Sequence, residues 1–458
     1  MPEFVRSAVF RASDLVWGPW TTPIGPIPGP LMILLILAGL YLTIRTGVVQ
    51  VRRFPEAART IVPEQAAGAA GALSPFQAFM TALAASIGTG NIAGVATAIV
   101  SGGPGALFWI WAYGFIAMAI KFAEAVLGMS FRVADAGGSS SGPMYYLRDG
   151  LRAPRLAALF AGVAGLAALF TTPFTQPNSM AVVLKSQFGI PTWAAGIAIA
   201  VLTWLVIIGG VKSIGRAAEK LSPLKVGLYL AGGLFVILSH ASALPSVLTL
   251  VFREAFSFRA AVGSSAGIGI MMAMRYGLAR GIYANEAGYG TARSKSPTQQ
   301  GLNAVIEVFV VSFVTSSISA LTILVSGVAQ QSIATIRQGG EGLTSTAVVA
   351  QAFNTAIPVG GGWVVAFCAF LFGYTTLVGW AYYGEQFFEY LFGKRVAVPY
   401  RWIYCLLIPI GAVASVETVW AWGDLMNGLQ VFPNLVGLVG LSGVVAAAAR
   451  APVTKGGR

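Results

Sequence analysis

The sequence predicts an all-α, polytopic membrane protein of about eleven transmembrane helices. Three observations predict it. Apolar runs of membrane-crossing length recur along the whole chain, which is 56% hydrophobic with a mean hydropathy of +0.75. Only 10% of its residues are charged, against roughly 25% in a soluble domain. Finally, two of the apolar runs are interrupted by glycines and small polar residues at matching places in two halves of the chain.

The runs fall at 29–45, 75–101, 104–131, 155–184, 192–211, 223–240, 262–284, 301–328, 360–391, 401–422 and 426–449. Several exceed the roughly 20 residues a bilayer needs, so tilt or unwinding is expected. The net charge of +13 is a topology signal rather than a nucleic-acid footprint, because Lys and Arg mark inner loops. With the N-terminus outside, the inner side collects Arg45, Arg52, Arg53, Arg59, Arg132, Arg148, Lys212, Arg216, Lys220, Lys225, Arg293, Lys295, Lys394, Arg395 and Arg450, among others. The outer side holds Arg6, Arg11, Lys185, Arg253, Arg259 and Arg337. The chain is therefore expected in the cell (inner) membrane with a cytoplasmic C-terminus, in contact with the lipid bilayer, without nucleic acid and as a monomer. Residues 1–30 do not read as a cleavable signal, since no apolar core precedes Pro23 to Pro30.

Cys368 and Cys405 lie in apolar runs and lack zinc-site spacing. A single histidine, His240, cannot make a metal site alone. The Gly137–Pro143 stretch GGSSSGP lacks the ending of a phosphate loop and reads as a connector. The outer connection 329–358 holds a short helical pattern over Ser345–Phe353, lid-like in position.

The second span carries SIGTGNI from Ser86 to Ile92. Hydrocarbon offers no water to loose peptide groups, so a span unwinds only where its backbone is buried in protein or lines a cavity. The seventh span carries Gly277 and Gly281, followed by NEAGYGTA from Asn285 to Ala292. Five spans separate the starts of the two, so they cross in opposite directions. Paired interrupted helices in opposed halves are the mark of an inverted-repeat secondary transporter. The expected organisation is an N-terminal region 1–74 with one extra helix, a first five-helix repeat over 75–240, an outer loop at 241–261, a second repeat over 262–449 and a tail at 450–458.

Several blocks then resemble the alanine or glycine:cation symporter family, across nearly the whole chain. They are SIGTGNIAGVATAI (Ser86–Ile99), GGPGALFWIW (Gly102–Trp111), QPNS (Gln176–Ser179), GGVKSIGRAAE (Gly209–Glu219), ARGIYANEAGYGTA (Ala279–Ala292) and TTLVGWAYYGE (Thr375–Glu385). The resemblance implies a LeuT-type fold and co-transport of a small neutral amino acid, alanine or glycine, with sodium. Two blocks depart slightly from the family pattern: Phe108-Trp109-Ile110-Trp111 where it favours FWMW, and YANEAGYG where it favours FSNEAGLG. By the same resemblance, sodium lies between the second and ninth spans, on carbonyls of Ala85, Ser86 and Gly88 and the hydroxyls of Thr375 and Thr376. Hard cations prefer such oxygens. Paired threonines also bond their own helix backbone, which is the competing reading.

A substrate carboxylate needs donors, and the backbone N–H groups of Thr89, Gly90, Asn91 and Ile92 open the following half-helix. Gly90 and Gly94 also form a GxxxG, which favours close helix packing. The ammonium needs acceptors, for which Gln176 and carbonyls near Gly281 and Tyr283 are the candidates, with Asn285 beside them. Phe174, Tyr283 and Trp380 are candidate walls, although aromatic residues mostly face core or lipid. Arg280 and Glu286 are candidates for an inner gate, with a capping role for Glu286 equally open. Lys121 and Glu124, three apart, form a local pair.

Alternating access around such a site gives sodium-driven uptake. Proton coupling is the alternative, but no titratable group falls within the first unwound segment. A channel would want a ring of polar residues from symmetric subunits. An enzyme would need a nucleophile–base pair or metal cluster, and the chain offers a single histidine and no HExxH. No catalytic residue and no cofactor beyond the coupling ion is expected.

Overall fold

The structure, a computed structural model, describes residues 3–22, 25–60, 88–135, 138–208, 211–257, 268–285 and 296–452. The helices run α1 (Glu3–Trp17), α2 (Pro30–Arg45), α3 (Ala93–Gly102), α4 (Ala106–Ser130), α5 (Pro154–Phe170), α6 (Thr172–Phe188), α7 (Thr192–Ile207), α8 (Val211–Ser239), α9 (Leu244–Ala255) and α10 (Ile268–Asn285). Then follow α11 (Pro297–Phe309), a π-helical segment (Val310–Thr315), α12 (Ser316–Val325), α13 (Val328–Arg337), α14 (Ser345–Ala356), α15 (Gly361–Phe392), α16 (Ala397–Val413), α17 (Val416–Gly440) and α18 (Ser442–Arg450). Two small antiparallel hairpins accompany them, Trp20–Thr22 with Gly25–Ile27 and Val133–Asp135 with Gly138–Ser140.

Among the described residues, five helical stretches are long and apolar enough to cross a bilayer: Ala106–Ser130, Pro154–Phe188, Pro297–Val325, Gly361–Phe392 and Lys394–Val413. Two bent pairs pass the same criterion together, Leu224–Ser239 with Ala241–Ala255 at 74° and Val416–Gly440 with Ser442–Arg450 at 62°. His240 sits at the first bend, its Nδ1 3.0 Å from the Val236 carbonyl. Leu202, Leu205, Leu234, Phe235, Leu238, Trp402, Leu406 and Ile410 are exposed on α7, α8 and α16. An apolar surface of that kind needs lipid around it. The chain is a multi-pass membrane protein.

The helix ends follow from local chemistry. Ser296 caps α11, its hydroxyl accepting from the Gln299 N–H at 3.2 Å, with Pro297 at the first helical position. Gly189, at φ 68°, closes α6 in the left-handed conformation that glycine adopts most cheaply. The π-helical segment interrupts one continuous span, Pro297–Val325, and such bulges re-aim side chains at functional sites.

Helix α4 runs through the middle of the fold, buried almost throughout from Ile116 to Leu127. It packs on α10 and α11 at close range. A Cβ on Gly277 would stand 2.6 Å from Trp109 Cβ, and one on Gly281 2.5 Å from the Tyr113 ring. These two glycines therefore do not interrupt α10; they let it lie against α4, and α10 stays helical through both.

Two sequence boundaries shift. The tenth and eleventh runs, read as 401–422 and 426–449, are instead α16 ending at Val413 and α17 beginning at Val416. The chain turns at Ala414 and Ser415, which are extended (ψ 156° and 144°). Gly423 and Asp424 suggest a break by their polarity, yet both are buried inside α17. The helix expected over Ser345–Phe353 is present as α14, and most of it is buried. Thr346 donates to the Ser179 carbonyl at 2.7 Å, which fastens α14 to α6.

Candidate functional site

Gly88 is extended (φ −116°, ψ −173°), a single 3-10 turn follows over Thr89–Asn91, and α3 begins only at Ala93. The polar residues in this stretch leave the peptide groups of Gly88–Ile92 largely outside the α-helical ladder. Two bonds brace the turn, Asn91 N–H to Gly88 C=O at 3.2 Å and Ile92 N–H to Thr89 C=O at 3.0 Å. Thr89, Gly90, Asn91 and Ile92 are all buried. Ala85, Ser86, Glu286 and the NEAGYGTA break after Asn285 lie outside the described residues.

The start of α3 meets the end of α10. A Cβ on Gly90 would stand 2.7 Å from Tyr283 Cδ1 and 3.4 Å from Ala284 Cα. The other half of the GxxxG, Gly94, leaves 3.4 Å to Arg280 Cδ and to the Trp420 ring. Both glycines thus serve contact with α10 and its neighbours. The N-terminus of α3 carries a partial positive charge, and it meets the last described turn of α10, up to Asn285.

A polar network crosses this junction. The Thr89 hydroxyl donates to Gln176 Oε1. Gln176 Nε2 donates to the Tyr283 hydroxyl at 2.9 Å, and that hydroxyl also bonds Thr175 Oγ1. Thr175 donates back to the Thr171 carbonyl at 2.8 Å, where α5 gives way to α6. Asn91 Oδ1 accepts from Ser316 at 3.3 Å, while its buried Nδ2 has no partner among the described residues. Asn285 exchanges two bonds with Ser312, at 2.9 and 3.1 Å. Ser312 and Ser316 lie within and just beyond the π-helical segment, which is how that bulge reaches both α3 and α10.

The aromatic candidates separate. Tyr283 packs edge-on against Trp420 with ring centroids 5.1 Å apart. Phe174 lies 6.3 Å from Phe170. Trp380 packs against Ala168 and Tyr383, in a cluster apart from the main core. Gly281 faces Tyr113, so its structural place is the α4 contact.

On α15, a Cβ on Gly88 would stand 2.9 Å from Thr376 Oγ1. The extended peptide and this hydroxyl are therefore neighbours. Thr375 has a different environment. Its hydroxyl reaches the Leu371 and Phe372 carbonyls at 2.9 and 3.2 Å and accepts from Lys225 Nζ at 2.5 Å. Lys225, grouped on sequence with the inner-loop cations, is 1% exposed within α8.

Arg280 is 2% exposed and ion-paired with Asp424 of α17. Its Nε donates to Thr97 Oγ1 at 3.2 Å, and the guanidinium lies 4.3 Å from the Trp420 ring centroid. The pair joins α3, α10 and α17. Sequence reasoning does not single out Asp424, Lys225, Thr175 or Trp420. An acidic residue inside an apolar run is the available signal for Asp424, and on sequence it reads as a loop. Lys121 and Glu124 stand 3.9 Å apart, and Asn434 donates to Glu124 at 2.8 Å.

Comparison with known proteins bears on what this junction serves. The sodium:alanine symporter family model matches residues 16–454. The chain belongs to the sodium:alanine symporter family. Among relatives of this symporter, the sodium/alanine symporter AgcS of Methanococcus maripaludis is 37% identical, covering 98% of this chain and 97% of that protein. The probable sodium/glutamine symporter GlnT of Bacillus subtilis is 34% identical, covering 97% and 90%. Among solved structures, a manganese transporter mutant from Eremococcus coleocola superposes with a TM-score of 0.51 at 16% identity, covering 84% of this chain and 82% of that one. That likeness concerns fold alone. The chain is a transporter, not an enzyme.

Proposed function

We propose that this symporter takes up a small neutral amino acid, alanine or glycine, with sodium by alternating access. The observation that carries the reading is the meeting of the α3 start with the α10 end at Gly90, Tyr283 and Ala284. A zwitterion fits here, with donors from the start of α3 and acceptors from α6 and α10. Its carboxylate takes the N–H groups of Thr89 and Gly90 and the Asn91 side-chain amide, since the Asn91 and Ile92 N–H groups, expected to join them, already donate to the Gly88 and Thr89 carbonyls. Its ammonium takes Gln176 Oε1 and last-turn carbonyls of α10 near Tyr283 and Asn285. Tyr283 bounds the side-chain space, while Phe174 and Trp380, the other expected walls, pack in separate aromatic contacts, and Gly281 holds α10 close to α4.

Sodium takes the peptide oxygens around Ala85, Ser86 and Gly88 with Thr376, and the adjoining Thr375 hydroxyl, expected to join them, is turned toward Lys225. The proximity of Gly88 and Thr376 supports this assignment. The Arg280–Asp424 pair acts as the gate, and Glu286, the other expected gate residue, lies outside the described residues. The larger frame of the reading is eleven spans in two inverted five-helix repeats after one extra helix, with the N-terminus outside. Each ligand completes the site for the other, so each raises the other's affinity.

Counterflow tests the carrier reading. Vesicles holding the symporter and unlabelled alanine should transiently concentrate labelled alanine from outside. Simple equilibration would mean a channel, and a chemically altered solute would mean an enzyme.

A further inference from the structure

Lys225 is the most anomalous charge in the described fold. It is 1% exposed on α8, a helix within an apolar span. Among the described residues no carboxylate lies within ion-pair distance of it. Its ammonium instead donates to Thr375 Oγ1 at 2.5 Å and lies 4.8 Å from the Phe372 ring centroid. Cys368 Sγ approaches the Lys225 carbonyl at 3.6 Å. Cys368, Phe372 and Thr375 fall four and three residues apart, one stripe of α15, so Lys225 lies along that stripe. An ionisable side chain buried at membrane depth is costly, and its presence there points to a functional role.

The next residue on α15, Thr376, is the hydroxyl that faces Gly88. Successive helical side chains diverge by about 100°, which places the ammonium on the order of 6 Å from the Thr376 oxygen. We propose that the Lys225 ammonium is a cation tethered at the edge of the ion site, which holds Thr375 and opposes sodium, so that this symporter binds sodium weakly. The inference rests on the sodium site read at Gly88 and Thr376. It deepens that reading by assigning Thr375 to the lysine rather than to the ion. Two unit charges roughly 6 Å apart, at the effective dielectric of a protein site, weaken binding by about a hundredfold. Relaxation of the long lysine side chain away from the ion will recover part of that.

The test is radiolabelled sodium binding to the purified full-length protein, paired with alanine and glycine uptake in proteoliposomes over a sodium series. Lys225→Met removes the charge and keeps the apolar stem. Lys225→Gln keeps a donor for Thr375 without the charge, and Lys225→Arg keeps the charge. Size-exclusion profiles check folding. The inference predicts half-saturating sodium at least about tenfold lower in the Met and Gln variants, and little changed in Arg. A sodium requirement that appears only in the uncharged variants also supports it, while removing the sodium reading of the natural chain. Wild-type uptake that responds to sodium, with a shift under about twofold in both uncharged variants, overturns the inference and leaves the symporter reading standing. A Gln variant that matches wild type while Met alone changes makes the lysine a hydrogen-bond support, and overturns it as well. Loss of folding in both uncharged variants places the lysine in the structural core and likewise overturns the inference. Absence of amino-acid uptake by every form, wild type included, removes the symporter reading and the inference together.

Discussion

Replacing Asp424 with Asn should destabilise the protein by about 3–5 kcal/mol, because it leaves the Arg280 guanidinium buried without its counter-charge. Both side chains are almost wholly enclosed, at 2% and 5% exposure. What remains for Arg280 is the 3.2 Å bond to Thr97 and the face of Trp420 at 4.3 Å. Neither neutralises a cation in a low-dielectric interior. With unfolding entropy near 2.1 cal/mol/K per residue, a 458-residue chain would lose roughly 3–5 °C in melting temperature. The assay is thermal unfolding in detergent of wild type, Asp424→Asn, Arg280→Met and the double variant. The double variant should recover most of the loss, since removing both charges abolishes the desolvation penalty that either one alone incurs. Additive effects, with the double variant as unstable as the sum of the singles, would refute a direct ionic coupling. Unchanged melting in Asp424→Asn would refute burial of the pair.

Other outcomes follow from the same geometry. Gln176→Ala should raise the amino-acid concentration for half-maximal uptake by about tenfold or more, since it removes one buried acceptor and strands the Thr89 hydroxyl; uptake kinetics measure this. Thr376→Ala should raise half-saturating sodium by about tenfold while folding is kept, and an unchanged sodium response would remove Thr376 from the ion site. Gly281→Ala drives a methyl to 2.5 Å from the Tyr113 ring and should cost about 1–3 kcal/mol by overpacking the α4–α10 contact, read as a lower melting temperature. At the connector between α4 and α5, Arg148 holds the Asp149 carboxyl below the usual carboxylate range. That contribution is present above ordinary carboxylate titration and fades as pH falls through the lowered value. Both side chains are about two-fifths exposed (39% and 41%), so melting between about pH 5 and 8 should not change in Asp149→Asn.

How much is legible in the sequence depends on whether a feature is local. The SIGTGNI stretch announces its own loss of α-helix, because glycines and small polar residues forfeit helical stability wherever they sit. Its contacts with Gln176 and Tyr283 are set instead by how distant spans pack. Gly277 and Gly281 carry the same residue type with another cause, close approach to α4, and sequence alone does not separate unwinding from packing. Asp424 and Lys225 escape a sequence reading for one reason. A charge near the end of an apolar run looks like a loop residue until its partner is known. Arg280 lies 144 positions from Asp424, and Thr375 lies 150 from Lys225. Pairings of that range are set by tertiary packing and leave no periodic trace in the chain.

In the proposed function, a cation gradient drives a zwitterion through the junction of α3 and α10. Labelled alanine and glycine accumulation in proteoliposomes, under an imposed inward sodium gradient with equal amino acid on both sides, tests it most directly. At least one of the two should accumulate uphill, collapsing to equality when a sodium ionophore dissipates the gradient. Accumulation that never exceeds equality, or that survives the ionophore unchanged, would contradict it.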